Sequence, residues 1–146
     1  MTDLEDLYAL ADDRGYDVDW RILTCMDGFT LRLTDGNYGI VLDQTKITSR
    51  AEHKTKLGHG LGHAETGSVY NPWTAYDVVQ QHENRADKWN ILHQVPEKEL
   101  REAVRNGYTE PWQLAEYFEV TEELIRQAMV WYKYHTMDTR GYFQTA

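Results

Sequence analysis

The chain has 146 residues, 41% of them hydrophobic, with five Trp, ten Tyr and a formal net charge of −9. This length and aromatic content predict one folded domain with a substantial core, and they exclude a disordered chain. No apolar run is long enough to cross a bilayer. The negative charge argues against a broad electrostatic grip on nucleic acid, which requires Lys and Arg collected on one surface.

Two features indicate the cellular compartment. The single cysteine, Cys25, cannot form an internal disulfide, and the acidic N-terminus lacks the basic and then apolar pattern of a signal peptide. We therefore expect a cytoplasmic protein. Cys25 is expected to be a buried thiol, because the sequence around it offers no His or Asn that would make it a nucleophile.

The first part of the chain predicts a helix followed by a small antiparallel sheet. A capping box over residues 2–5 begins the helix, and Gly15 ends it. Asp35-Gly36 is typical of a tight turn between two strands. Three segments alternate apolar and polar residues as strands do: 18–23, 29–33 and 38–42.

The next helix carries the most informative spacing in the sequence. A capping box over residues 49–52 opens it, and it ends near Gly67. His59 and His63 stand four residues apart, so both imidazoles leave the same face and can bind one metal ion. Zinc hydrolases with the motif H-E-x-x-H have this spacing, and the glutamate after their first histidine activates the metal-bound water. Here that residue is Gly60.

Glycine is unusually frequent in this helix. Gly58, Gly60 and Gly62 each cost about 0.8–1 kcal/mol relative to alanine, so something other than helix propensity holds the helix, and tight packing against the sheet or metal ligation could do so. Residue 60 is expected to project beside the open coordination position of the metal. A carboxylate there would accept the proton of the water, whereas glycine leaves that space empty.

The following helix offers a carboxylate to the same ion. Thr74 and Asp77 cap it, and it runs to about His93. A hydrolytic zinc site needs three protein ligands and one open position, and Glu83 is the predicted third ligand. Metal-bound histidines donate their second N–H to a carboxylate or carbonyl, and Asp87 is predicted to be that partner. The alternative is that both acids belong to a solvated helix face.

Three more helices are predicted. Pro96 begins one that ends by Gly107, Pro111 starts a short one, and Thr121 caps the last. Residues 110–134 have the outline of a helix-turn-helix. The predicted organisation has three parts: a metallopeptidase core over residues 1–95, a helical module packed on it over 96–135, and a loosely held tail over 136–146.

Two segments resemble the ImmA/IrrE family of metallo-endopeptidases found in phages and mobile elements: residues 59–68 and the E-x-x-A-D-x-W stretch from Glu83 to Trp89. The resemblance covers roughly residues 5–134. It implies an α+β, zincin-like fold with the motif helix behind a small sheet, and zinc (Zn2+) bound by His59, His63 and Glu83. It also implies cleavage of a phage or mobile-element repressor. Gly60 departs from the family, which has its catalytic glutamate at that position.

No other residue obviously replaces this general base, whose loss typically costs about 10²–10⁴-fold in rate. Glu65 lies five residues from Gly60 on another part of the helix and is expected to be a poor substitute. Three residues are candidates to polarise a carbonyl or stabilise an oxyanion, with core packing as the alternative: His82, Tyr70 and Tyr76.

Three functions follow from these observations. The first is a zinc metallo-endopeptidase that is impaired or inactive in this copy because of Gly60. The second is a non-catalytic, zinc-stabilised regulator that binds the repressor, itself expected to be a helix-turn-helix protein. The third is DNA binding through residues 110–134, and it is the weakest, because residues 96–146 hold nine acids against six bases. Neither direct DNA binding nor membrane binding is expected.

Overall fold

The structure, a computed structural model, describes residues 2–136 and is α+β, as predicted. Within these residues there are six helices and one three-stranded sheet. In chain order they are α1 (Leu4–Arg14), β1 (Asp17–Trp20), β2 (Gly28–Arg32), β3 (Tyr38–Leu42), α2 (Arg50–Thr66), α3 (Tyr76–Gln94), α4 (Glu97–Arg105), α5 (Pro111–Phe118) and α6 (Glu122–Thr136). None of these helices combines the length and apolar character needed to cross a membrane. The predicted loose tail, beyond the last residue of α6, lies outside the described residues.

The sheet is mixed, so the prediction of an antiparallel sheet is wrong. Strand β3 lies in the middle, antiparallel to β2 and parallel to β1. It is the most apolar of the three strands, and Gly39, Ile40 and Leu42 are buried, which favours a central position with a partner on each side. Alternation of apolar and polar residues predicts that a segment is a strand but not the direction in which it pairs. The parallel pairing of β1 was not predicted for this reason.

Local sequence chemistry sets the ends of the helices. The Ser49 hydroxyl accepts a hydrogen bond from the backbone N–H three residues on, and Gly67 ends α2 in the left-handed region at φ 64°, as predicted. Asp3 caps α1 and Ala75 precedes α3, each one residue from the predicted cap. Cys25 is exposed rather than buried, because β1 ends at Trp20 and the cysteine lies in the loop that follows.

Two hydrophobic clusters form the core. The first joins α1, β3 and α2, and the second joins the end of α3 to the three C-terminal helices. Ile91 of α3 and Val95, which directly follows α3, belong to the second cluster, so α3 contacts both α2 and the C-terminal helices. The boundary at residue 95 between a core and a C-terminal module stays a prediction.

Polar contacts tie α2 to the C-terminal helices. Lys54 is fully buried, and its ammonium donates to the carbonyl of Phe118 at 2.8 Å. Burial lowers the pKa of Lys54. The Glu119 carboxylate, 4.0 Å away, acts in the opposite direction and raises it. The Thr55 hydroxyl accepts from the backbone N–H of Thr121 at 3.0 Å. These contacts lie one turn before His59 and fix that part of α2 against the connection between α5 and α6.

Candidate metal centre

Three predicted ligands converge between α2 and α3. The Nε2 atoms of His59 and His63 lie 3.2 Å apart. Glu83 faces both rings across the helix contact, with Oε1 3.1 Å from Nε2 of His59 and Oε2 2.9 Å from Nε2 of His63. One ligand atom from each residue lies within 4.8 Å of the others, so the three residues can hold a metal ion.

The spacing of these atoms suits one small ion. A tetrahedral ion bonded to two nitrogens at about 2.0–2.1 Å separates them by about 3.3 Å. The observed separation of 3.2 Å between the imidazole nitrogens is close to that value. Two neutral imidazoles and one carboxylate are also a ligand set that zinc accepts, although imidazole and carboxylate ligands bind other divalent metals as well.

The second nitrogen of each ring has a partner that orients the ring. Nδ1 of His59 lies 3.0 Å from Oδ1 of Asp87, and Nδ1 of His63 lies 2.6 Å from the carbonyl oxygen of Ser68. When the rings are neutral, an N–H at Nδ1 can donate to each oxygen, and the Nε2 lone pairs then face the ligand position. Asp87 therefore contacts His59, on the side of the ring away from Glu83.

Sequence reasoning missed Ser68, because a backbone carbonyl leaves no trace in side-chain spacing. The available signal was the glycine that ends the helix. Gly67 turns the chain back in the left-handed conformation, and the N–H of Ser68 then donates to the carbonyl of His63 at 2.9 Å. The same turn brings the carbonyl of Ser68 to the His63 ring.

The carboxylates determine the charge state of the site without metal. Burial of the His59 ring lowers its pKa, but hydrogen bonds to Asp87 and Glu83 outweigh burial and raise the pKa to about 9. Hydrogen bonds from His59 and His63 hold the pKa of Glu83 well below its usual range. Glu83 is therefore ionised at neutral pH, and a metal ion must displace a proton from His59.

Glycines allow α2 and α3 to approach closely enough for these contacts. A Cβ on Gly62 would lie 2.6 Å from the carbonyl oxygen of Ala86, and a Cβ on Gly58 would overlap the side-chain amides of Asn90 and Gln94. Packing against the sheet, one of the two explanations expected for the glycines, therefore does not account for these two. They serve the contact with α3, which carries Glu83 and Asp87.

Gly60 alone faces the sheet, and the expectation that it leaves an empty space is wrong. A Cβ on Gly60 would lie 2.7 Å from Cγ2 of Ile40 and 3.3 Å from Oγ1 of Thr30. The Thr30 hydroxyl also donates to the carbonyl of Gly60 at 3.0 Å. The position that follows the first histidine of the motif H-E-x-x-H is filled here from the sheet.

A cleft of about 1070 Å³ opens on the ligand cluster. Strand β2 forms one wall, the loop from Val69 to Pro72 forms part of another, and the first turn of α6 closes the far end. The Tyr70 hydroxyl lines this cleft and donates to Oε2 of Glu83 at 2.9 Å. Burial, helped by that hydrogen bond, raises the pKa of Tyr70 to about 12, so the phenol keeps its proton at neutral pH.

The other candidate residues lie outside the ligand cluster. His82 stacks on Tyr70 with ring centroids 6.1 Å apart, and its Nδ1 accepts from Arg85 at 3.2 Å. Tyr76 is 78% exposed at the start of α3. Glu65 accepts from the Tyr16 hydroxyl at 2.6 Å and pairs with a neighbouring arginine, which keeps its carboxylate away from the cleft.

Comparison of this chain with models of known protein families and with curated proteins finds no match. The resemblance carried by residues 59–68 and 83–89 therefore stays a prediction. The structure contains a cluster of three residues that could hold a metal ion, the groups hydrogen-bonded to them and the cleft beside them.

Proposed function

We propose that this protein is a zinc-dependent metallo-endopeptidase of the ImmA/IrrE type that acts on a phage or mobile-element repressor, with hydrolysis impaired in this copy by Gly60. The observation that carries the proposal is the convergence of His59, His63 and Glu83 on one point beside an open cleft. Three protein ligands with one side open to a cleft are what a hydrolytic zinc site requires.

The ligand set supports zinc, and the residues around it support a preformed site. Bound zinc would act as a Lewis acid and lower the pKa of a water molecule. The protein holds both imidazoles in the tautomer that presents Nε2, through Asp87 and the Ser68 carbonyl. Tyr70 can donate a hydrogen bond at the edge of the cleft, because its phenol stays protonated.

The cleft is large enough for several side chains of a polypeptide. Its volume of about 1070 Å³ is at the upper end of small-molecule sites. Phe29 and Leu31 of β2 line one wall and are 40% and 37% exposed, which offers apolar contact area to a bound chain. A protein substrate or partner fits such a surface better than a small polar molecule does.

The weak step is proton transfer, because the carboxylates of Asp87 and Glu65 are already engaged. Asp87 is hydrogen-bonded to His59, and Glu65 is engaged by Tyr16. Tyr70 can donate a hydrogen bond, but it cannot accept a proton at neutral pH because its phenol is already protonated. Loss of a general base typically costs about 10²–10⁴-fold, so slow or absent turnover is expected.

The second candidate is a non-catalytic, zinc-stabilised regulator that binds the repressor without cutting it. The packing of Ile40 and Thr30 against Gly60 favours this candidate, because the sheet is fitted to glycine at position 60. Both candidates share the zinc site and the protein partner. They differ in whether the partner is cleaved.

Direct DNA binding is not part of the proposal. Helices α5 and α6 bury a continuous apolar face against the end of α3 and α4. On the outer side of α6, Arg126 pairs with Glu122 at 3.3 Å, and Glu123 is exposed beside it. Acidic residues at the start of the helix that would enter a DNA groove oppose contact with phosphates.

The test uses the full chain loaded with zinc and a helix-turn-helix repressor from a phage or mobile element as the partner. Slow cleavage that a chelator abolishes is the result expected for the impaired enzyme. Zinc-dependent binding without cleavage indicates the regulator. Absence of bound zinc, or cleavage that a chelator leaves unchanged, contradicts both.

A further inference from the structure

The side of α2 that faces the sheet lies over one cross-strand pair. Thr30 of β2 and Ile40 of β3 are partners in the antiparallel register, so their side chains share a face of the sheet. Thr30 donates to the carbonyl of Gly60, and Cγ2 of Ile40 is the atom nearest to a Cβ built on Gly60. Position 60 is enclosed by this pair.

Ile40 cannot easily make room for a side chain at position 60. It is 1% exposed and belongs to the same apolar cluster as Leu57 and Leu61 of α2. The Cγ2 methyl is bonded directly to Cβ, so it moves only if χ1 rotates or the strand shifts, and χ1 of a β-branched residue is stiff. A Cβ at 2.7 Å from this methyl therefore requires repacking of the cluster.

Helix α2 cannot move away from the sheet either. On the opposite side of α2, a Cβ built on Gly62 would lie 2.6 Å from the carbonyl oxygen of Ala86. The backbones of α2 and α3 are therefore already in close contact. A shift of α2 toward α3 would also move His59 and His63 relative to Glu83. A side chain at position 60 must therefore displace Ile40 or disturb the ligand cluster.

We propose that Ile40 is a positioning residue of this site and that residues 40 and 60 act as a pair. The Cγ2 methyl of Ile40 excludes the first carbons of any general-base side chain at position 60, so a restored glutamate acts only when residue 40 loses that methyl. The catalytic part of this inference rests on the proposed function. The packing part does not, and each has its own measurement.

The packing is tested by placing Gly60→Ala in backgrounds that keep or remove the methyl. Ile40→Val keeps Cγ2, whereas Ile40→Leu removes it at the same volume, and Ile40→Ala is the second variant without it. Gly60→Ala is expected to lower the midpoint of thermal unfolding by about 5 °C in the wild-type and Ile40→Val backgrounds. In the two backgrounds without Cγ2 the loss should disappear. Equal losses in all four backgrounds would overturn the proposal.

The catalytic consequence is tested with zinc-loaded full chains and a pool of quenched-fluorescence peptides. The double variant Gly60→Glu with Ile40→Leu is expected to have a kcat about 100-fold higher than that of Gly60→Glu with Ile40→Val, at similar KM. The reason is that a general base displaced by about 1 Å can cost about 100-fold in rate. Gly60→Gln with Ile40→Leu fills the space without a base and should stay inactive.

The two ideas fail in different ways. If Gly60→Glu alone cleaves as fast as the double variant, Ile40 does not exclude the base and the inference is wrong. If the thermal coupling is found and every variant holds one zinc but none cleaves, the endopeptidase proposal fails, while the role of Ile40 in closing position 60 is supported.

Discussion

Helix α2 contacts the rest of the N-terminal region through two unlike surfaces. Toward the sheet it presents Leu57 and Leu61, which pack on Ile40 and Leu42 in a purely apolar cluster. Toward α3 it presents the two histidines of the candidate metal centre and two glycines, and the side chains that meet it there are mostly polar. The same helix therefore has one surface that packs on the sheet and one that holds the candidate metal ligands.

The polar surface is held by hydrogen bonds from side chains of α3 to the backbone of α2. The Asn90 amide donates to the carbonyl of Thr55 at 3.0 Å, and the Gln94 amide donates to the carbonyl of Lys54 at 2.7 Å. These bonds lie one to two turns from the histidines. A buried network of this kind fixes the distance between two helices in a way that interchangeable apolar contacts do not.

The largest effect is expected from removing the carboxylate that α3 contributes to the cluster. Glu83→Gln should weaken zinc binding by more than the roughly 100-fold that loss of a ligand's hydrogen-bond partner reaches. Competition with a chromophoric chelator measures the affinity. Glu65→Gln, which alters a carboxylate of α2 outside the cluster, is the matched control and should bind zinc as the wild type does. Similar affinities for all three proteins would show that α3 contributes no ligand.

Asp87 should matter less, because it acts through His59. Asp87→Asn keeps the size of the side chain but removes the charge that holds the Nδ1–H of His59. We expect zinc affinity to fall by about 10- to 100-fold without loss of stoichiometry. Isothermal titration calorimetry gives both quantities, and an unchanged affinity would mean that Asp87 does not orient the ring.

The close contact between α2 and α3 can be tested independently of metal. Gly62→Ala places a Cβ 2.6 Å from a backbone carbonyl, which cannot rotate away. Overpacking of about 1–3 kcal/mol should exceed the gain of up to about 1 kcal/mol in helix propensity. The free energy of unfolding from urea titration should therefore fall by about 1 kcal/mol. A gain in stability would show that the two helices have slack at this point.

A pH dependence of stability is expected for the metal-free protein. The pKa of His59 is raised to about 9 in the folded state, above the ordinary value near 6.5. Its protonation therefore stabilises the fold fully below about pH 6.5, and this contribution is lost as pH rises through about 9. Urea midpoints with a chelator present should fall over this range.

With zinc the trend over the same range should reverse, because protons compete with the metal for His59. Asp87→Asn should flatten the metal-free profile, since it removes one cause of the raised pKa. A metal-free profile that rises between pH 6.5 and 9 would contradict the assigned charge state of the cluster.

The sequence predicted those parts that depend on local chemistry. Ser49, Gly67 and the Asp35-Gly36 turn act through bonds within a few residues, and each has the predicted role in the structure. The pairing of His59 with His63 follows from helix geometry alone. These features need no knowledge of what packs against them.

The parts that depend on tertiary packing were not predictable in the same way. The direction of β1 depends on which strand occupies the centre of the sheet, and alternation does not record it. The glycines of α2 looked alike in the sequence, yet Gly58 and Gly62 face α3 while Gly60 faces Ile40. Only the fold distinguishes the two glycines that permit close approach of α3 from the one that packs against the sheet.

The central claim is that α2 and α3 together form one zinc site. It is tested most directly by the zinc content, by elemental analysis, of the wild type, His63→Ala and His53→Ala after loading and dialysis. His53 lies on the same helix but bonds to Tyr8 instead of facing the cluster, so it is the matched control. We predict one zinc per chain in the wild type and in His53→Ala, and none in His63→Ala. A wild type without zinc, or a His63→Ala variant that retains it, would contradict the account.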